Sequence, residues 1–101
     1  MAIPQMSDKE RVILKLLRTG DELYGLELVR AARGRLKKGT VYVTLTRMVK
    51  KGFVDYREEE KKGFVAGRPR KFFKIRRKGD DVLRAWEKAD FSYSSRRGGQ
   101  H

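Results

Sequence analysis

Apolar residues recur at helical spacing near the start of the chain, between polar residues that mark the helix ends. Ser7 and Glu10 have the spacing of a capping box, in which each side chain accepts a hydrogen bond from a free backbone N–H. The apolar stripe that follows consists of Val12, Ile13, Leu16 and Leu17. Because Gly20 favours the left-handed conformation that ends helices, we predict a first amphipathic helix that stops there and packs on the core.

Two further helical patterns follow, separated by a short basic connection. The second predicted helix ends at Gly34 and buries Leu26, Val29 and Ala32. The third covers residues 39–51 and ends at Gly52. Its core-facing arc consists of Val41, Leu45, Met48 and Val49. The opposite arc consists of Thr40, Val43, Thr46, Arg47 and Lys50, with Tyr42 at its border. This outer face is available to a partner.

The apolar period changes to two in the second half of the chain. In 53–58, Val54 and Tyr56 share one side, and in 71–76 Phe73 and Ile75 do the same. We therefore predict two antiparallel strands. The polar segment 59–70 between them is too long for a tight hairpin turn, so it is expected to project as a mobile loop.

A fourth helix is predicted after Gly79, where Asp80 and Asp81 favour the positive end of the helix dipole. Its apolar positions are Val82, Leu83, Trp86 and Ala89. Residues 92–101 lack periodic apolar positions and are expected to be a disordered basic tail. The order of elements in 1–91 predicts an α+β winged helix-turn-helix domain with three helices, a two-stranded β-hairpin wing and a C-terminal helix.

The positive charge is concentrated in the elements that a winged helix turns towards DNA. The formal net charge is +13, from 26 Lys and Arg against 13 Asp and Glu. Residues 30–51 hold eight basic side chains and no acidic one, and 57–78 hold ten basic and three acidic. The rest of the chain holds eight basic and ten acidic residues. This distribution predicts double-stranded DNA as the partner, with a generic basic surface as the alternative.

Other classes of function lack the residues that they need. There is no cysteine, and the single histidine is the terminal His101, so we expect no metal, no cofactor and no catalysis. No apolar run approaches the roughly 20 residues that span a bilayer. We expect a cytoplasmic, nucleoid-associated protein. Because so short a chain has a thin stability margin, a second subunit is an attractive way to complete its core.

The third helix carries the predicted DNA contacts. In the major groove, Arg47 is the candidate for paired hydrogen bonds to guanine, and Thr46 and Val43 for contact with a thymine methyl. The lysines expected at phosphates are Lys37, Lys38 and Lys50. The free N–H groups of Gly39 and Thr40 are expected to receive a phosphate at the helix N-terminus.

The loop carries a second predicted contact, at Gly67-Arg68-Pro69-Arg70. Pro69 favours an extended Arg68, whose guanidinium can enter a narrow minor groove. The tripeptide Gly67-Arg68-Pro69 resembles the core of AT-hook motifs, and a simple turn is the alternative. The predicted wing contacts are Arg68, Arg70 and Lys71.

Several ordered motifs resemble the PadR family of winged-helix transcriptional regulators. They are Leu23-Tyr24-Gly25-Leu26-Glu27, Gly39-Thr40-Val41-Tyr42 with Leu45 and Arg47-Met48, Lys51-Gly52-Phe53-Val54, and 67–75 followed by Lys78-Gly79. The resemblance covers about residues 7–90. It implies a homodimeric repressor of a nearby gene, bound to a pseudo-palindromic operator. The contacts it implies are Thr40, Tyr42, Arg47, Arg68 and Arg70.

The resemblance also implies dimerisation through the C-terminal helix, at Val82, Leu83, Trp86 and Ala89, and an aromatic small-molecule effector near Trp86. The chain departs from the family where Val43 replaces a common proline and Arg76 a threonine cap. Two other functions stay open: an architectural or accessory DNA-binding protein without promoter regulation, and an RNA-binding module.

Overall fold

Four helices and a small antiparallel sheet make up the fold. In this computed structural model, residues 4–59 and 69–98 are described, with the backbone alone from residue 90 onward. The elements are α1 (Asp8–Leu17), β1 (Leu23–Tyr24), α2 (Gly25–Ala31), α3 (Lys38–Lys51), β2 (Val54–Glu58), β3 (Lys71–Ile75) and α4 (Arg77–Gly98). The winged-helix fold is confirmed. The strand β1 is an addition to the prediction: it pairs with β3 and extends the hairpin to a sheet of order β1-β3-β2.

All four helices and the sheet contribute to a single core. Its fully buried side chains include Ile13, Leu14, Leu17, Leu28, Val41, Leu45, Met48, Phe53, Val54 and Leu83. Burial of each large apolar side chain contributes about 1.5–3 kcal/mol. On α3 the buried positions repeat every three to four residues, as the predicted arc requires, although Val49 is only partly buried. The other side of α3 therefore faces out.

The predicted start of α1 and the predicted end of α3 are confirmed, whereas α1 ends at Leu17, three residues before Gly20. Ser7 and Glu10 form the capping box, with the Ser7 N–H donating to Glu10 Oε1 at 2.8 Å. Helix α3 ends at Lys51, and Gly52 follows in the left-handed region at φ +80°. This conformation is unfavourable for residues with a Cβ, and it turns the chain from α3 into β2.

A buried carboxylate joins the start of α1 to the end of α3. Glu10 is 1% exposed, and both of its oxygens accept hydrogen bonds from Lys51 Nζ, at 3.0 and 3.1 Å. The same ammonium donates to the Gln5 carbonyl at 3.3 Å and lies over the ring of Phe53. A carboxylate buried without such partners would strongly destabilise the fold. The pair therefore fixes the position of α3 relative to α1.

Helix α4 packs closely on the rest of the domain at two points. At its start, the Arg76 N–H donates to the Phe53 carbonyl at 2.9 Å, and a Cβ at Gly79 would overlap that carbonyl. Further along, Glu87 accepts two hydrogen bonds from the Arg18 guanidinium, at 2.6 and 3.0 Å. These bonds lower the pKa of the Glu87 carboxyl. Both side chains are partly exposed, and such a solvent-accessible ion pair contributes little to stability.

The length of α4 differs from the prediction. The helix begins at Arg77, and the Asp80 N–H donates to the Arg76 carbonyl at 3.0 Å. It then continues to Gly98, through part of the segment 92–101 for which the sequence predicts a disordered basic tail. Residues 99–101 lie outside the described part of the chain. Within the described residues, no helix is both long enough and apolar enough to cross a bilayer.

The apolar residues of α4 serve mainly the core of the protomer itself. Val82 and Leu83 are buried within the single chain, at 7% and 0% exposed. Trp86 is partly buried: its Nε1–H donates to the Pro4 carbonyl at 2.9 Å, and the Arg11 guanidinium lies 5.3 Å from its ring. Of the four residues expected at a dimer interface, only Trp86 and Ala89 keep surface for a second subunit.

Lys51→Met is expected to lower the free energy of unfolding by about 1.5–3 kcal/mol, because it removes a charged donor from a buried carboxylate. Lys50→Met, at an exposed neighbouring position on α3, should change stability by less than about 0.5 kcal/mol. Urea unfolding followed by circular dichroism measures both. Equal losses in the two variants would show that the Glu10–Lys51 pair has no special role.

Candidate nucleic-acid interface

The outer face of α3 is open to solvent. Val43 is 61% and Tyr42 47% exposed, the largest values among the exposed large apolar side chains of the described residues. Thr46, Arg47 and Lys50 are exposed as well, and Thr40 is half-buried. This face of α3 therefore offers both apolar and cationic side chains to a partner.

One side of this face borders the sheet and forms a cleft of about 300 Å³. Its lining consists of Tyr42, Thr46, Val49, Lys50, Tyr56, Lys71 and Phe73, and we call it the wing cleft. The Lys71 ammonium lies 4.8 Å from the centre of the Tyr56 ring, which itself contacts Phe73. Two lysines from different elements, Lys50 and Lys71, are thereby brought to the same cavity.

The other side of the face borders the first turn of α1. This groove is lined by Ser7, Asp8, Lys9, Thr40, Val43, Thr44 and Arg47, and we call it the α1 groove. Arg47 and Lys50 therefore lie on opposite flanks of α3, Arg47 towards α1 and Lys50 towards the sheet. The predicted contacts on α3 are divided between two neighbouring cavities.

The threonine hydroxyls of α3 are committed to its own backbone. Thr46 Oγ1 donates to the Tyr42 carbonyl at 2.9 Å. In the same way, Thr44 Oγ1 donates to the Thr40 carbonyl, and Thr40 Oγ1 donates to the Lys37 carbonyl. With its proton engaged, Thr46 presents a methyl group and an acceptor oxygen to solvent. This arrangement is compatible with the predicted contact to a thymine methyl.

The start of α3 is basic, but not all of its backbone N–H groups are free to donate to a phosphate. Lys37 is the N-cap and has no side-chain cap bond, and Lys37 and Lys38 are both exposed. The Thr40 N–H, expected to bind a phosphate, instead donates to the Lys37 carbonyl at 3.1 Å. A phosphate site here would depend on Gly39 and the two lysine side chains.

Arg70 lies on the face of the sheet opposite to the wing cleft. Its guanidinium is 4.8 Å from the Tyr24 ring centre, and its Nε is 4.0 Å from a Glu59 carboxylate oxygen. Because alternate strand residues point to opposite faces, Phe72 joins Tyr24 there in an edge-on ring contact. Arg70 and Lys71 are therefore separated by the sheet. Arg68 lies outside the described residues.

The motif Leu23-Tyr24-Gly25 connects the sheet to α3. Tyr24 pairs with Phe72 in the sheet, and its N–H donates to Glu27 Oε1 at 3.0 Å. A Cβ on Gly25 would lie 2.5 to 2.6 Å from atoms of the Tyr42 ring. Glycine is therefore required at position 25 for Tyr42 to keep its place at the edge of the wing cleft.

The sequence reasoning missed two residues of this surface. The strand pattern puts Tyr56 on the same side as Val54 and gives it no role in binding, yet it is 42% exposed on the edge strand β2 and lines the wing cleft. The helical pattern of α1 gave Lys9 no role, yet Lys9 lines the α1 groove with Arg47. Every buried side-chain polar atom among the described residues has a partner, and those residues contain no group of three metal-binding side chains.

A family model and several solved structures show which family the chain is similar to. The model of the transcriptional regulator PadR-like family matches residues 13–85. A PadR family transcription regulator from Clostridium difficile is 25% identical, with a TM-score of 0.74 over 93% of this chain and 97% of that one. A PadR-like transcription factor from Bacteroides fragilis is also 25% identical, with a TM-score of 0.76 over 91% and 88%.

A third structure, Bacillus subtilis PadR in complex with operator DNA, shares the fold at 23% identity and a TM-score of 0.66. The match covers 76% of this chain and 45% of that one. Among curated proteins, none matches the sequence significantly.

Gly25→Ala is expected to leave the domain folded but to displace the Tyr42 ring, because Tyr42 is 47% exposed and its side chain has solvent on one side into which to move. If Tyr42 contacts DNA, affinity should fall by about 1 kcal/mol, within the range of coupled neighbouring residues. The control is a double-mutant cycle: in a Tyr42→Ala background, Gly25→Ala should have no further effect on binding measured by fluorescence anisotropy. An equal loss of DNA affinity in both backgrounds would show that Gly25→Ala does not act through Tyr42.

Proposed function

Because the chain belongs to the PadR-like family of transcriptional regulators, we propose that it is a sequence-specific repressor that binds double-stranded DNA as a homodimer. The observation that carries the proposal is the outer face of α3, which is exposed, flanked by cavities on both sides and free of acidic residues along its length. The family's regulatory role and this basic surface both support DNA as the partner. The protein would act on the chromosome, in the cytoplasm.

In the proposed complex, α3 lies in the major groove, which is wide enough to admit a helix. Arg47, on the α1 side, is the base-reading residue, since its guanidinium can bond guanine O6 and N7 together. Thr46 and Val43 meet thymine methyl groups. Lys37, Lys38 and Lys50 contact phosphates, which fixes the position of the helix but carries no sequence information.

The wing supplies the second set of contacts. Lys71 shares the wing cleft with Lys50, so a phosphate of one strand can lie between them. We assign Arg68 and Arg70 to the adjacent minor groove. For Arg70 this requires that its guanidinium leave Tyr24 and Glu59, whose interactions with it are exposed and therefore weak.

Arg47→Ala should reduce discrimination at one base position of the operator by about 1–3 kcal/mol, whereas Lys50→Ala should weaken binding to all sequences alike. Selection of bound duplexes from a random pool gives the operator, and titration against single-base variants then gives both effects. The opposite pattern would exchange the roles of the two residues. Both positions are exposed, so neither substitution should disturb folding.

The same titration separates repressor from architectural protein. With six to ten phosphate contacts, affinity should fall by roughly 10³ to 10⁵ between 50 and 200 mM salt. An operator-binding repressor keeps a specificity ratio above about 10³ at the higher salt. Equal binding to every duplex would favour an architectural role, and preference for A-form RNA would favour an RNA-binding module.

The proposed dimer uses the exposed side of α4. Since Val82 and Leu83 belong to the protomer's core, we assign the contact to Ala89 and the outer part of Trp86. The described contacts of Trp86, with Pro4 and Arg11, give no support to an aromatic effector at this residue.

Ala89→Arg is expected to give a folded monomer, because the position is exposed in the protomer and a guanidinium would be forced into the proposed interface. Sedimentation velocity measures the change in mass. Ala31→Arg, at an exposed alanine of α2, should stay dimeric. A dimeric Ala89→Arg variant would rule out this part of α4 as the contact.

A further inference from the structure

Three surface grooves form a continuous path from the outer face of α3 along α1. The α1 groove, which contains Arg47, shares Asp8 and Lys9 with a second groove. The second shares its lining of Val12, Lys15 and Arg35 with a third, at the turn between α2 and α3. We call the second and third grooves the basic channel.

Five cations line the basic channel: Lys9, Arg11, Lys15, Arg33 and Arg35. The one carboxylate lining it, Asp8, is paired with Arg11 at 3.4 Å. Among the side chains described, in 4–59 and 69–89, neither Arg33 nor Arg35 has an ion pair with a carboxylate within 4.0 Å, and both residues are exposed. By contrast, the arginines that brace the fold are paired, as Arg18 is with Glu87 and Arg57 with Glu22. The channel therefore carries uncompensated positive charge.

The backbone at Arg33 is held in an unfavourable conformation. Its φ is +49°, which makes it the single non-glycine residue of the described chain in the left-handed region. Gly34 follows at φ +92°, and the turn is closed by a bond from the Arg35 N–H to the Ala32 carbonyl at 3.1 Å. Glycine or asparagine would fit position 33 with less strain. Strain of this kind is concentrated at functional sites, and here it places a guanidinium at the channel.

We propose that the basic channel binds the phosphate backbone of DNA flanking the operator, so that the duplex follows α1 beyond the contacts of α3 and the wing. The inference rests on the proposed function. The channel meets the α1 groove at Asp8 and Lys9, and Arg47 lines that groove, so a strand contacted by α3 can continue into the channel along the positive surface. Cations without carboxylate partners are available to replace the counterions of the phosphates, and these contacts offset the elastic cost of bending the flank.

The test compares two duplexes, the selected operator alone and the same operator with flanks of unrelated sequence. The double variant Arg33→Gly/Arg35→Ala removes two channel cations at exposed positions, and glycine relieves the strain at position 33. On the flanked duplex, the slope of log affinity against log salt should flatten by about 1.8, or about 0.9 for each lost phosphate contact. On the operator alone, the slope should not change.

A matched control, Arg77→Ala/Lys88→Ala, removes the same charge from exposed positions of α4 and should leave both slopes unchanged. Urea unfolding should show that Arg33→Gly/Arg35→Ala is no less stable than the unmodified protein. The proposal is overturned if flanks add nothing to the affinity of the unmodified protein. It is also overturned if the two double variants flatten the salt slope on the flanked duplex by the same amount. Failure of the proposed function itself is distinguishable, because it would abolish specific binding to the operator alone.

Discussion

Glu10 is the residue on which the arrangement of α1 and α3 depends. Its carboxylate is buried at their junction, and it accepts one hydrogen bond from the start of its own helix and two from Lys51 at the end of α3. Removal of either donor would leave part of a buried charge unsatisfied, at a cost comparable to a large share of the stability of so small a domain. The pair thus anchors α3 with its apolar arc in the core and its other arc in solvent. It also holds the first turn of α1 beside that outer arc, where the α1 groove forms.

The positive charge of the chain serves two different purposes. Some cations brace the fold: Lys51 satisfies Glu10, Arg18 links α1 to Glu87 of α4, and Arg57 pairs with Glu22. Others, such as Arg47 and Arg35, are exposed without a carboxylate within 4.0 Å among the described residues. Unpaired cations along one surface raise the local potential far more than paired ones, and this potential attracts a polyanion. Net charge alone does not distinguish the two groups.

Glycine is important here where two parts of the chain approach closely. Gly25 leaves room for the Tyr42 ring, and Gly79 for the Phe53 carbonyl. The absence of a side chain at Gly25, at the start of α2, thus determines where the Tyr42 ring of α3 lies. The Leu23-Tyr24-Gly25 motif therefore has a structural explanation: Tyr24 joins the sheet, and the next residue must be small enough to leave room for the ring of Tyr42.

Periodicity along a strand did not determine which of its apolar positions become buried. Tyr56 is paired with Phe73, which is buried on the central strand, but β2 is an edge strand and Tyr56 lines the wing cleft at 42% exposed. Val82 and Leu83 are buried, as their apolar spacing on α4 indicates. The spacing alone could not show whether they are buried in the core of one subunit or in an interface between two. Helix α4 continues past Ser92 through residues with no apolar period, which gave no indication of a helix.

The sequence by itself determined the order of the four helices and the two wing strands, the capping box, the buried and exposed arcs of α3 and the family, because these follow from local spacing and ordered motifs. Tertiary structure alone decided that Arg47 and Lys50 lie on opposite flanks of α3, that Arg70 and Lys71 lie on opposite faces of the sheet, and that Lys9 and Arg35 continue the positive surface along α1. These relations depend on how helices and strands distant in sequence pack together. No spacing along the chain encodes which cations find a carboxylate partner and which stay free for DNA.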